Sequence, residues 1–137
     1  MNKTIIALIC SAAFLAACND ADEVAEERLE EAAEASAVAA GSEVAALGLT
    51  ELQLLDAEIV GTGGVELGDV ASVLRDDSGN VNRLLVEIED SAPDRFVHVP
   101  ISDLRPVQRG DDIELSTTIT AEQLAALPDV PIDQQTP

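Results

Sequence analysis

The sequence predicts a mainly β domain of consecutive antiparallel strands, finished by a short C-terminal helix and preceded by an acidic, partly helical tether. Three observations predict it. Residues 65–100 read VELGDVASVLRDDSGNVNRLLVEIEDSAPDRFVHVP, where apolar positions recur with period two between clusters of Gly, Asn, Asp and Pro. Residues 19–49 are instead rich in Ala and Glu, both good helix formers. Thr120-Ala121-Glu122-Gln123 is a helix-start pattern, and Pro128 cannot continue the helix it begins.

From the N-terminus, residues 1–17 read as a targeting segment. Lys3 supplies the charged start, and residues 5–15 are an apolar stretch too short to span a bilayer as a helix. The segment ends Leu15-Ala16-Ala17-Cys18, which resembles the lipobox of bacterial lipoproteins. The resemblance implies that the Cys18 thiol receives a diacylglyceryl group, that the chain is cut before Cys18, and that the new amine is acylated. The competing reading is an ordinary secretory signal with a cysteine near the cut. Cys10 lies within the removed segment, so the mature chain keeps one cysteine and can form no intrachain disulfide. Lipidation accounts for that lone thiol in an oxidising compartment. Each buried CH₂ contributes about 0.8 kcal/mol, so two or more acyl chains hold stably where one does not. In such lipoproteins an Asp directly after the cysteine favours retention at the inner membrane. Asn19 stands there instead, so the expected address is a lipid anchor facing the periplasm, with the outer membrane slightly favoured.

Residues 18–49 form the tether. Glu23/Glu27, Glu26/Glu30, Glu27/Glu31 and Glu30/Glu34 are like charges four apart, which oppose a helix, and Arg28 alone relieves them. No repeating apolar stripe supports a coiled coil. The segment reads as a solvated spacer, about 45 Å long if helical and about 30 Å if a coil, or equally as disordered filler. Gly41-Ser42 and Gly48 punctuate its end.

The domain proper spans residues 50–127. Thr50-Glu51-Leu52-Gln53 matches a capping box and begins a short helical turn. Residues 55–60 form an opening strand, turned by Gly61-Thr62-Gly63-Gly64. Residues 67–75 form the next strand, in which Gly68 marks a bend or a close backbone approach. Residues 76–80 turn the chain, because Asp, Asn and Gly tolerate positive φ and bond locally. In residues 81–89, Leu84, Val86 and Ile88 share the buried face, with Arg83, Leu85, Glu87 and Glu89 on the other. Residues 90–94 turn again, Pro93 removing a donor. In residues 95–99, Val97 and Val99 point one way and Phe96 and His98 the other, and Pro100 ends the strand.

The run Ala57-Glu58-Ile59-Val60, Leu67-Gly68-Asp69-Val70, Val73-Leu74, Asp76, Gly79, Leu85-Val86-Glu87 and Val97-His98-Val99-Pro100-Ile101-Ser102-Asp103-Leu104 resembles the PRC-barrel family. That family includes the cytoplasmic domain of the photosynthetic reaction centre H subunit and a domain of a ribosome maturation factor. The likeness covers about residues 50–127 and rests on fold motifs. It implies a small, partly open antiparallel β-barrel used for binding and assembly rather than catalysis. On that reading Leu104 drops into the barrel after the Pro100 corner. Arg109-Gly110-Asp111 is a further turn, and Ile113 and Leu115 face inward from a closing strand with Glu114 outward. The last helix ends near Leu127, with Leu124 and Leu127 as its packing residues, and residues 128–137 are a polar tail.

The chain has 137 residues and a formal charge of −20. Nine acids against one arginine in residues 19–50, and eighteen against five in 51–137, make both parts acidic. Phosphates are bound by positive charge, so no nucleic acid is expected as a partner. A cationic partner is electrostatically acceptable. With Phe14 removed, Phe96 is the only aromatic residue, so Val, Leu and Ile must build the modest core.

No catalytic residue, metal ligand or cofactor is assigned. Asp76, Ser78, Asn80 and Glu87 mimic positions 1, 3, 5 and 12 of a calcium loop, but Val81 stands where that loop needs Gly. His98 is the sole histidine and lacks a partner for catalysis or metal binding. Gly61-Thr62-Gly63-Gly64 has no following lysine and is a turn, not a P-loop. The pairs Asp76-Asp77 and Asp111-Asp112 sit at turns, where Asp bonds locally. Leu85 and Phe96 are the candidate partner face, since the alternation sets both outward. The C-terminal helix, through Leu124 and Leu127, is the favoured cover for them; otherwise an envelope protein or a second copy covers them. The expected function is a protein-binding or assembly module in the cell envelope. The alternatives are a structural or envelope-stress spacer whose domain self-associates and, less favoured, a hydrolytic enzyme.

Overall fold

A computed structural model describes residues 20–134. Cys18 and residues 1–17, on which the expected signal segment and acylation site fall, lie outside the described residues. The chain is mainly β. A long helix, α1 (Asp20–Ala40), leads into a two-stranded ribbon of β1 (Val44–Ala46) and β2 (Leu49–Thr50), then a short helix, α2 (Glu51–Leu55). Next come six strands: β3 (Glu58–Val60), β4 (Glu66–Arg75), β5 (Val81–Ile88), β6 (Phe96–Pro100), β7 (Leu104–Arg109) and β8 (Asp112–Thr117). A short helix, α3 (Ala121–Ala125), and a 3₁₀ turn at Ile132–Gln134 end the described chain.

The six strands form one sheet in the order β6-β5-β4-β3-β8-β7. β4, β5 and β6 pair antiparallel in succession, as the alternation predicts. The sheet is mixed, because β3 pairs parallel with β8, Ile59 opposite Leu115. β6 and β7 are its two ends, so the strands do not close into a ring. β7 is an edge strand whose residues after Leu104 are exposed, with Arg105, Pro106 and Arg109 discouraging further pairing.

Local chemistry explains the turns. Asp76 Oδ1 accepts from the backbone N–H of Ser78 at 2.9 Å and of Asn80 at 3.0 Å. Gly79 takes φ +82, which its missing Cβ permits. These residues therefore build the β4–β5 hairpin. Both capping boxes form: Thr50 with Gln53 starts α2, and Thr120 with Gln123 starts α3. α2 extends through Leu55, so the opening strand begins at Glu58, later than the predicted 55–60 strand.

The main core lies on one face of the sheet. Leu84, Val86, Val97, Val99, Leu104, Leu115 and Ile59 are fully buried there, with Leu54 of α2 and Leu124 of α3 over them. The predicted inward set from β5 and β6 is thus correct, as is Leu104, while Ile88 and Ile113 are only partly buried. Gly68 explains how β4 can lie so close to β5: a Cβ there would overlap the Glu87 carbonyl oxygen.

Residues 20–40 are not the solvated tether that their composition predicts. α1 is a continuous helix of 21 residues, and it docks on the domain against α2, β4 and the 3₁₀ turn at Ile132–Gln134. Leu29, Ala33 and Ala37 are buried at successive i,i+4 positions. That stripe is mostly methyl groups, which is why no apolar pattern stands out in the sequence. Opposing like-charge pairs cost only a few tenths of a kcal/mol each, and docking outweighs them.

Candidate functional site

The residues assigned to a partner face, Leu85 and Phe96, are not on the surface. Leu85 is fully buried and Phe96 nearly so. They form a second apolar cluster with Leu29 of α1, flanked by Ala71, Leu74, Val130 and Ile132. Both lie on the side of the sheet opposite Val86 and Val97, as the alternation predicts. Their cover is not the predicted one: α1 and the segment after α3 lie over this face, whereas Leu124 packs into the main core. Val130 donates its backbone N–H to the Phe96 carbonyl at 2.8 Å. Arg95 fastens the same segment, its Nε donating to Asp129 Oδ1 at 2.7 Å and its Nη2 to the Ala125 carbonyl at 3.1 Å.

A polar network meets the other end of α1 through a single hydroxyl. Glu51, at the start of α2, is only 2 % exposed. Its Oε1 accepts from the Ser36 hydroxyl at 2.5 Å and its Oε2 from Arg75 Nη2 at 2.7 Å. Arg75 Nη1 also donates to the Gly79 carbonyl at 3.0 Å. One buried carboxylate thus joins α1, α2, β4 and the β4–β5 turn. The capping box places Glu51 at the first helical position, but nothing local marks its partners, which come from 15 and 24 residues away. Glu51→Ala should lower the unfolding free energy by about 2 kcal/mol, the usual cost of losing charge-assisted bonds to a buried group. Leu52→Ala, at an exposed neighbouring position, should change it by under about 0.5 kcal/mol. Urea denaturation of the two variants checks both figures.

Above the Leu85–Phe96 cluster the surface is acidic. A groove of about 410 Å³ runs between α1 and the sheet, floored by Leu29, Val70 and Phe96 and rimmed by Glu26, Asp69 and Glu87. A neighbouring hollow of about 590 Å³ adds Pro93, Asp94, Val130 and Ile132. Carboxylate oxygens of Glu26, Glu87 and Asp94 lie within 4.8 Å of one another. Burial, then the charges of Glu26, Asp94, Asp69 and Glu30, push the Glu87 carboxyl up to about 7. Burial first, then Asp94, Glu30 and Glu23, raises Glu26 as well. A second, exposed trio, Glu66, Asp69 and Glu89, is equally close-set. Acid trios of this kind are common on a strongly acidic surface, and neither is a metal site by its spacing alone. An apolar floor beneath carboxylates suits cationic groups and repels phosphates.

The remaining sequence candidates are dispersed. His98 shares the face of Phe96, and its Nε2 is buried with no hydrogen-bond partner among the described residues. Burial, and then Arg83, hold its pKa below the usual histidine value. Gly61-Thr62-Gly63-Gly64 is the β3–β4 turn, where the Gly61 N–H donates to the Val65 carbonyl at 2.8 Å. Asp111 and Asp112 sit at the β7–β8 turn, away from both grooves. Among the described residues no helix is long and apolar enough to cross a membrane. No family model matches the sequence, and no similar curated protein was found.

Proposed function

We propose that the protein is a lipoprotein anchored through acylated Cys18 and facing the periplasm, whose PRC-barrel-like β domain is a binding and assembly module of the cell envelope. The observation that carries the reading is Leu15-Ala16-Ala17-Cys18 with its single mature cysteine. The open six-stranded sheet, the strand ending in Val97-His98-Val99-Pro100 and the short C-terminal helix support the domain assignment. Binding is favoured over catalysis because the resemblance is to a binding fold and, among the described residues, His98 Nε2 has no hydrogen-bonded partner to make it a catalytic pair. The partner would be a cationic protein surface, by charge complementarity with residues 51–137.

The anchor is tested by mass spectrometry of the N-terminus of protein extracted from membranes. The expected result is a chain starting at Cys18 with a diacylglyceryl thioether and an acylated amine. Cys18→Ala should stay uncut at the lipoprotein site and lack acyl chains. A free amine at any residue after 18 would overturn the assignment. Affinity capture from solubilised membranes then identifies what the domain holds, and concentration-dependent sedimentation tests self-association as the alternative.

A further inference from the structure

We propose that α1 is a pH-operated latch: it closes over Leu85 and Phe96 when Glu87 is protonated, and swings away about Gly41-Ser42 when Glu87 and its acidic neighbours are all charged. α1 is thinly held. Leu29, Ala33 and Ala37 are its buried residues, and among the described residues Ser36 to Glu51 is its one side-chain hydrogen bond to the domain. Two of those three buried side chains are single methyl groups, so the apolar area that retains the helix is small.

The charge arrangement opposes that docking. α1 carries Glu26 and Glu30 on the side that meets β5, where Glu87 stands. The charged groups that act on Glu87 are all acids: Glu26 and Glu30 from α1, Asp69 from β4 and Asp94 from the β5–β6 loop. Asp69 is Glu87's direct cross-strand partner. The cations nearby are engaged elsewhere or distant. Arg95 bonds Asp129 and the Ala125 carbonyl. Arg83, beside His98, is four strand positions from Glu87, about 13 Å away. Arg28 is on the exposed side of α1. Removing α1 takes away two of these acids and returns Glu87 to water.

The hinge is present in the chain. α1 ends where Gly41 takes φ +61 and its N–H donates to the Ala37 carbonyl at 3.0 Å. Gly41 and Ser42 are exposed, and a Cβ built on Gly41 would meet nothing within 4 Å. Linkage sets the sign. Glu87 titrates at about 7 in the docked state and falls toward the usual carboxylate range, about 4.3, when α1 leaves, with Asp69 and Asp94 still beside it to keep part of the rise. Docking is therefore strongest below about pH 4, weakens as pH rises, and reaches its floor once pH exceeds about 7. A full reversion from about 7 to about 4.3 would correspond to a roughly 500-fold change in the docking equilibrium; the acids that stay behind, the half-exposed rim and physiological salt reduce it to about tenfold. Opening uncovers Leu85 and Phe96 as an apolar strip beside acids, with Val130 and Ile132 still against it.

Amide hydrogen exchange of the full-length protein in detergent, at pH 5 and pH 8.5 and corrected for intrinsic rates, tests the latch. The α1 amides should exchange about tenfold more readily at pH 8.5, while those of Leu84 and Val86 keep their protection. Glu87→Gln should hold the pH response of α1 below about twofold, because the amide cannot ionise. Glu26→Gln should reduce it partially and serves as the check if Glu87→Gln perturbs the strand. Equal α1 protection at the two pH values would overturn the proposal. So would an unchanged response in both variants, or a loss shared equally by Leu84 and Val86, which would mean global unfolding instead.

Discussion

Val86→Asp is expected to remove a large share of the domain's stability at neutral pH. Val86 is fully buried between Val70 on β4 and Val97 on β6, in the main core. An aspartate there places a carboxylate in a cluster made of Leu, Val, Ile and Ala side chains. An uncompensated buried charge costs about 3–5 kcal/mol, a large share of the roughly 5–15 kcal/mol that a domain has in total. Glu87→Ala, one residue along, should be neutral or slightly stabilising above pH 7, because Glu87 points into a crowd of acids on the opposite face. Urea denaturation of the pair checks both halves. Equal losses would reverse the assignment of the two faces.

Gly68→Ala should be nearly as damaging, for a steric reason. The added methyl would overlap the Glu87 carbonyl oxygen and sit 3.1 Å from its carbon. Both are backbone atoms of β5, so no side chain can rotate aside; β4 and β5 must part. Their pairing is the longest in the sheet, running from Gly68 opposite Ile88 to Arg75 opposite Val81. A loss of about 3 kcal/mol or more is expected, at the upper end of ordinary overpacking because the obstacle is main chain. Gly79→Ala makes a useful contrast. It has open space around it but φ +82, so its cost is conformational and about 1 kcal/mol. In thermal melts Gly68→Ala should unfold at the lower temperature of the two. The reverse ranking would mean that β4 and β5 can separate cheaply.

Much of the fold was legible because its signals are local. The period-two alternation in β5 and β6 sorts Leu84, Val86, Val97 and Val99 from Leu85, Phe96 and His98, and the structure divides the apolar ones along that line. The two Thr-x-x-Gln boxes start α2 and α3 where the side chains can reach backbone three residues on. Asp76, Gly79 and Asn80 shape a turn through bonds spanning two to four residues. Gly68 announced a close approach, though not to which carbonyl. Less visible were β1, β2 and β7. The first two are three and two residues long. β7 is an edge strand with almost no buried side chain to produce a pattern.

Which residues share a face, where turns and helix starts fall, the overall acidity and the Leu15–Cys18 motif are all written in the order of the residues. Which faces are covered is settled by long-range packing. Alternation reports that Leu85 and Phe96 point away from Val86, but their burial depends on a helix more than forty residues earlier, whose contact stripe is one leucine and two alanines. Glu51 likewise becomes a junction only when Ser36 and Arg75 are folded against it. Glu87 is an ordinary strand carboxylate until Glu26, Glu30, Asp69 and Asp94 are gathered round it from three other parts of the chain. Hydrogen-bond and dihedral preferences act within a few residues, so local sequence encodes them. Desolvation and charge repulsion act through space, so they exist only once the chain has closed on itself.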